Sequence, residues 1–390
     1  MNIVFISNYF NHHQRNLSDC LNNEQGISFT FVATSKISDE RKSLGYDNSV
    51  FPDYVTELLP NQENKRAREA IKKADVIILG MAPENLVKDQ IRKGKLLFRY
   101  SERPFKNGVN KIELLPRSVK WHFCNPSCKP IYMLCASAYP AADFSKMGMF
   151  VNKSYTWGYF PDFKKYSSIN ELLVKKGTHE ILWCGRFLDW KHPDDALKAA
   201  KMLKDSGYSF KMRFIGIGPL SDKLKDYTKE NKLESCVEFC GSMSPEKVRE
   251  NMENSGIFLT TSDFKEGWGA VLNESMNSAC AVVASHAVGS APCLVKDKYN
   301  GLIYESGNVN GLFSKIKYLL DNTDEQVRLG KAAYKTICDE WNAEIAAKRL
   351  IILINNILEG NKSPDLYAEG PCSKSSILKN DWYSENQLLS

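Results

Sequence analysis

The sequence predicts an α/β chain built as two doubly wound halves, and three observations carry that expectation. Short apolar runs recur at residues 3–7, 29–33, 76–79, 96–100 and 131–135, and again from Ile181 onward, with helical patterns between them. Strands that alternate with helices imply parallel sheets covered by helices. At 390 residues there is room for two sizeable cores. Between the halves, residues 157–177 collect proline, glycine and lysine before a new apolar strand starts, which places the boundary near residues 166–178.

Composition narrows the class. Apolar residues make up 43% and charged residues 25% of the chain, the balance of a globular protein. The opening Met1-Asn2-Ile3-Val4-Phe5-Ile6 meets polar Ser7 and Asn8 too soon for a signal peptide, and no apolar run approaches membrane-spanning length. The expected compartment is therefore the cytosol. Eleven cysteines are scattered without paired spacing; Cys124 and Cys128, beside His122, have no second pair at zinc-site distance, so no metal centre is expected.

The formal charge of +6 is unevenly placed. Within residues 92–120, Arg92, Lys93, Lys95, Arg99, Arg103, Lys106, Lys111, Arg117 and Lys120 are opposed only by Glu102 and Glu113. Leu96, Leu97, Phe98, Phe105, Leu114 and Leu115 interleave with them, which suits an anionic membrane surface. A solvated basic face is the plain alternative; nucleic acid is not expected, because no binding motif accompanies the charge.

In the first half, the apolar run 3–7 reads as a first strand, followed by the polar turn Asn8-Tyr9-Phe10-Asn11-His12-His13-Gln14 and a helix through Leu17 and Leu21. Loops after strand C-termini face the ligand crevice of an open parallel sheet. His12 and His13 on this loop, Glu102 after the run 96–100, and Tyr139 after the run 131–135 are therefore candidate ligand contacts. For Glu102 a salt bridge to Arg99 or Arg103 is the structural alternative.

In the second half, the strand 181–184 ends in Gly185-Arg186-Phe187-Leu188-Asp189-Trp190-Lys191-His192-Pro193, with a helix over residues 194–204. Arg186 can bind a diphosphate bidentately and Lys191 supplies a compact charge. Gly216 and Gly218 close the next strand and Gly241 a third, allowing close backbone approach to a ligand. The centre of the pattern is the stretch 262–285. After the strand 257–259, Gly267 and Gly269 make a turn, and Ala270, Val271, Leu272 and Met276 form the apolar face of a helix. Glu266 and Glu274 then both face the helix N-terminus, where free N–H groups suit a diphosphate and the carboxylates suit sugar hydroxyls. That combination fits a nucleotide sugar. The plain alternative is a loop charge and a solvated helix residue. Helical patterns cover residues 309–320 and 325–358, broken near Trp341, and residues 361–390 mix proline, serine and charge without a pattern that demands a fixed fold.

Taken together, the Gly-Arg loop with its lysine, the Gly-x-Gly-Pro strand end, the Phe-x-Gly strand, the two glutamates and the Asn300-Gly301-Leu302-Ile303 run resemble retaining glycosyltransferase family 4 over about residues 180–305. The first half resembles bacterial surface-polysaccharide glycosyltransferases more loosely, in the 8–14 turn, in Ala136-Ser137-Ala138-Tyr139 and in Trp157-Gly158-Tyr159-Phe160-Pro161.

The resemblance implies a GT-B fold, two Rossmann-like domains facing across a cleft. Residues 1–166 would form the acceptor domain, 178–340 the donor domain, 341–360 a helix crossing back, and 361–390 a tail. It implies a retaining, metal-independent hexosyltransferase that uses a UDP- or GDP-sugar and a glycan or lipid-linked acceptor in surface-polysaccharide synthesis, in the cytoplasm or at the inner membrane face, without a cofactor. Arg186 and Lys191 would hold the diphosphate, Glu274 the ribose, and Glu266 would lie near the transferred sugar. Gly267, Trp268, Gly269 and Ala270 would contact that sugar or its phosphate. His12, His13, Glu102 or Tyr139 would serve the sugar or acceptor side. Two alternatives share the architecture, a nucleotide-sugar epimerase and a non-catalytic scaffold; buried charges at a crevice speak against the scaffold.

Overall fold

The computed structural model describes residues 1–37 and 51–384. Two all-parallel sheets organise it, one in each of two compact units. The first unit comprises Met1–Asp162 with Asn342–Leu378, and the second Phe163–Trp341 with Lys379–Ser390.

In the first unit the strands are β1 Asn2–Ser7, β2 Ser28–Ala33, β3 Val55–Glu57, β4 Val76–Leu79, β5 Leu96–Ser101, β6 Ile131–Cys135 and β7 Ser154–Thr156, in the order β3-β2-β1-β4-β5-β6-β7. The central strands are apolar on both faces, as a sheet covered on both sides requires: β4 and β6 are buried throughout. Val4, Ile6, Ile77, Leu97 and Met133 share one core cluster with Phe144. The helix His12–Asn23 begins at a capping box, in which Asn11 accepts from His13 N and Gln14 reaches back to Asn11 N. His12 and His13 thus lie in the first turn of a helix rather than on the loop before it.

The second unit holds β8 Gly177–Cys184, β9 Lys211–Ile215, β10 Val237–Gly241, β11 Ser255–Thr260, β12 Ala281–Ser285 and β13 Leu302–Tyr304, in the order β10-β9-β8-β11-β12-β13. Ile181, Trp183, Phe214, Leu259 and Val283 anchor its core against Leu197 of the helix Pro193–Asp205 and Leu312 of the helix Val309–Asp321. Both sheets have the doubly wound form expected from the strand and helix alternation. The short strands β3 and β7 escape sequence inspection because three residues are too few to show a period.

Two expectations need correction. First, part of the basic stretch 92–120 is interior, residues 96–99, 103 and 105. Leu96, Leu97, Phe98 and Phe105 are buried, Arg99 is paired with Glu84, and Arg103 is paired with Asp143. Second, most of the tail has a defined place. Thr156 N donates to Ser373 O and Cys372 N to Thr156 O, both at 2.8 Å, so residues 372–375 cover the free edge of β7. Tyr155 donates to Pro364 O at 3.0 Å, Arg349 lies over the Tyr367 ring, and in the second unit Tyr383 donates to Ile303 O at 2.6 Å. These ties are mainly to backbone, which leaves no side-chain pattern to read.

The tightest backbone approach in the second unit is at Gly216, with φ +137°, where a Cβ would fall 1.9 Å from Gly185 O. Gly216→Ala should therefore destabilise that unit by about 2–4 kcal/mol. Gly207, with φ +81° but nothing within 4 Å of a Cβ, provides the control, since Gly207→Ala should cost only about 1–2 kcal/mol. Urea unfolding of both variants measures the difference, and equal losses would refute the clash.

Candidate functional site

The strand order of the second sheet reverses between β8 and β11, because β8 leads outward to β9 and β10 while β11 returns to its other side. Loops leaving the C-terminal ends of such a pair form the ligand crevice of an open parallel sheet. Here those loops are tied together. Thr261 Oγ1 accepts from Trp183 Nε1 at 2.8 Å and donates to Lys191 O at 2.6 Å. Asp263 N donates to Trp190 O at 2.8 Å, and His192 Nε2 lies 3.4 Å from Asp263 Oδ2. His192 adopts φ +45° and Pro193 follows it as the first helical residue, turning the loop sharply into its helix.

Lys191 Nζ forms an ion pair with Glu266 Oε2, and Ser262 Oγ donates to the same oxygen at 3.1 Å. Both charged side chains are mostly enclosed, at 15% and 16% exposure, so the pair is ordered and only thinly screened. Arg186 is exposed on the same loop and makes no ion pair among the described residues. Glu274 is half-buried in the helix Val271–Asn277. Burial pushes the Cys184 thiol at the end of β8 up to about 12, with Glu274 adding to the rise and Lys191 opposing it. Burial thus favours the neutral form of the Cys184 thiol among these charges.

Four predicted positions, Arg186, Lys191, Glu266 and Glu274, are brought to this one strand-end region. The glycines allow the loops to approach one another closely. Gly216 and Gly218 press against the backbone of Gly185 and Phe187, where a Cβ would lie 1.9 Å and 2.5 Å from their carbonyl oxygens. Gly241 accepts from Gly216 N at 2.7 Å. The small size of Gly216 and Gly218 is required by packing between protein loops, whereas Gly241 has open space around a Cβ and adopts φ +69°. Gly269, at φ +83°, folds the turn back on Glu266, so that a Cβ would lie 3.4 Å from Glu266 Cγ. Trp268 is 1% exposed, donates to Asn273 Oδ1 at 2.8 Å and packs on Trp341, so its indole supports the turn from beneath. Thr261, Ser262, His192 and Asp263 carry no distinctive spacing and become visible only through these bonds.

At the strand ends of the first sheet, Glu102 accepts from Tyr159 Oη at 2.6 Å and pairs with Lys106. The alternative partners Arg99 and Arg103 are engaged elsewhere, by Glu84 and Asp143. The His13 ring stacks on Tyr159 at 5.4 Å and meets His12 at 4.0 Å. Burial, then Tyr100 and Glu102, raise Tyr159 well above the ordinary phenol range, so it stays a donor. Burial lowers His12 below the usual imidazole value, favouring the neutral ring. The Tyr139 ring is fully buried, with the Arg103 guanidinium 5.0 Å above it. A shallow cavity of about 470 Å³ opens nearby, lined by Asn8, Tyr9, Thr34, Lys36, Met81 and Pro83.

Among the described residues, His192, Asp194 and Asp195 bring three ligand atoms within 4.8 Å of one another. Lys198 Nζ already lies 2.8 Å from Asp194 and 3.0 Å from Asp195, so the protein supplies the cation itself.

Known proteins share this fold. Residues 165–336 match the family described as Glycosyl transferases group 1. An uncharacterized glycosyltransferase of Methanocaldococcus jannaschii is 33% identical over 168 residues, 43% of this chain and 46% of that protein. The amylovoran biosynthesis glycosyltransferase AmsK of Erwinia amylovora is 28% identical over 194 residues, 48% of this chain and 47% of its own. The chain thus spans about half the length of the curated relatives it matches. Among solved structures, Anabaena HepE in complex with UDP superimposes with a TM-score of 0.67 at 12% identity, covering 91% of this chain and 100% of that one. The lipopolysaccharide outer core galactosyltransferase WaaB superimposes with 0.65 at 17% identity, covering 92% and 99%. Residues 165–336 thus match the glycosyl transferases group 1 family, and the two parallel-sheet Rossmann-like units have the GT-B fold of these solved structures.

Proposed function

We propose that the chain is a retaining, metal-independent glycosyltransferase of family 4, moving a hexose-type sugar from a UDP- or GDP-sugar to a glycan or lipid-linked acceptor in bacterial surface-polysaccharide synthesis. The observation that carries the proposal is the Lys191–Glu266 ion pair at the β8/β11 reversal, with exposed Arg186 on one loop and Glu274 on the other. Anionic and hydroxyl-bearing parts of one ligand can both be satisfied there.

In this reading Arg186 and the Lys191 ammonium hold the diphosphate, and Glu274 accepts hydrogen bonds from the ribose hydroxyls. As the bond from the anomeric carbon to the β-phosphate oxygen breaks, charge builds on the departing diphosphate and the sugar becomes oxocarbenium-like. Fixed cations therefore act mostly in the transition state. The acceptor hydroxyl attacks from the face that the diphosphate leaves, and its proton passes to the departing phosphate oxygen, which retains configuration. Glu266 faces the sugar and keeps Lys191 ordered. His13, Tyr159 and Glu102 at the strand ends of the first sheet are the groups proposed to meet the acceptor. Relatives named for amylovoran and colanic acid biosynthesis support the polysaccharide setting.

Glu266 offers a sharp test because it partly neutralises the lysine meant for phosphate. Glu266→Gln should bind the nucleoside diphosphate about tenfold more tightly, a gain of roughly 1.4 kcal/mol, while turnover falls about 10²-fold. Calorimetric titration with UDP and GDP, beside initial rates, gives both numbers. Weaker binding together with slower turnover would remove Glu266 from this role.

Arg186→Ala should lower kcat/KM by about 10²–10³-fold, and Glu274→Ala should raise the donor KM with little change in melting temperature. Activity should survive chelator. Product analysis identifies the reaction: conversion of the donor sugar to its epimer without acceptor would replace the transferase by an epimerase.

A further inference from the structure

The helix Lys111–Cys124 has no buried residue, which is unusual beside a core this large. Leu114 and Trp121 are its inner contacts, packed against the core cluster, with Trp121 edge-on to Phe144 at 4.9 Å. On the opposite side Ile112, Leu115, Val119 and Phe123 are 86%, 70%, 63% and 81% exposed. Spacings of three and four residues stack these side chains into a single narrow ridge along the helix. No described residue of the unit covers them.

The ridge is flanked by cations. Lys111 and Lys120 stand on either side of it and make no ion pair among the described residues, whereas the helix's acid, Glu113, lies 3.9 Å from Arg117. Arg117 in turn rests over the Phe105 ring at 5.6 Å. Lys146, also above that ring, and Lys153 stand on the adjoining segment, whose Phe150 meets Trp121 from below and whose Val151 is 67% exposed. Lys146 pairs with Asp143 at 3.3 Å, so the cations beside the apolar ridge that make no ion pair among the described residues are Lys111 and Lys120.

We propose that the Lys111–Cys124 helix is the surface on which this protein docks to an anionic lipid bilayer, with Ile112, Leu115, Val119 and Phe123 entering the acyl boundary and Lys111 and Lys120 meeting lipid phosphates. A convex apolar row with lysine stems on both flanks is the form that lies in a headgroup layer. A second copy of the chain is a poorer occupant, because a two-fold interface would bring lysines against lysines. No described helix is long and apolar enough to cross a membrane, so the contact is peripheral. It is narrower than the stretch 92–120, whose arginines and leucines at 96–103 are largely committed to the interior. The proposal stands whether or not the transferase reading holds.

The test is flotation of the full chain with phosphatidylcholine vesicles, with and without phosphatidylglycerol. The wild type should float with the anionic vesicles, remain free of the zwitterionic ones, and dissociate as salt rises. Leu115→Ser combined with Phe123→Ser should weaken binding about tenfold or more, and Lys111→Glu with Lys120→Glu should abolish it. Because these side chains are exposed, melting temperatures should stay near wild type, which keeps loss of binding distinct from loss of fold. Wild-type flotation by both double variants would overturn the proposal. So would absence of flotation by the wild type together with a dimer that Leu115→Ser and Phe123→Ser dissociate, because the ridge would then belong to a second copy.

Discussion

A single hydroxyl fixes the geometry of the candidate donor site. Thr261, just past β11, uses its Oγ1 twice, accepting from Trp183 on β8 and donating to the main-chain oxygen of Lys191. The first bond ties it to the core through a buried indole, and the second fixes the peptide that carries the lysine. The ammonium is then held by Glu266, whose own oxygen is held by Ser262. A free lysine side chain loses about 1.5–2 kcal/mol of rotamer entropy when it is immobilised. Here that ordering accompanies folding, so a ligand meets a cation already in place. The ion pair contributes organisation more than stability, since pairs of this kind gain little net free energy once desolvation is counted.

The second unit was legible in the sequence to a degree that the first was not, and particular residues show why. Apolar runs ending in Gly185-Arg186, Gly216-x-Gly218 and Phe239-x-Gly241 located β8, β9 and β10 and their loops, and Glu266 pairs with Lys191 on the loop after β8. What the sequence could not show is what the glycines are for. The atoms nearest a Cβ at Gly216 or Gly218 belong to Gly185 and Phe187, a loop-to-loop packing that residue identity alone does not reveal. Thr261 and Asp263 were missed because threonine and aspartate are ordinary at strand ends, and only their partners 70 to 78 positions away give them meaning.

In the first unit, charge was the misleading signal. Arg99 and Arg103 look like two more cations in a surface cluster. Arg99 in fact sends two guanidinium nitrogens to the Glu84 carboxylate, both at 2.8 Å, and its Nε to Asn125. Arg103 meets Asp143, which also accepts from the Phe105 backbone. Such bidentate, enclosed pairs depend on acids 15 and 40 residues distant, which no local window contains. With those arginines committed to the interior, the remaining exposed lysines and apolar side chains concentrate on one helix and the segment beside it.

The difference between the two halves follows from how each builds its strand-end site. In the second unit, loops lie backbone against backbone, and only glycine can occupy such positions, so the geometry leaves its mark in residue identity. In the first unit, the strand ends carry side chains stacked on side chains, His13 on Tyr159 and Tyr159 on Glu102. Several residue types could fill such a stack with similar packing, and each of these also occurs in ordinary surface turns. Main-chain contacts that demand glycine are therefore recognisable from sequence, whereas side-chain contacts, such as those of Thr261 or of residues 13, 102 and 159, become recognisable only when the fold brings the partners together.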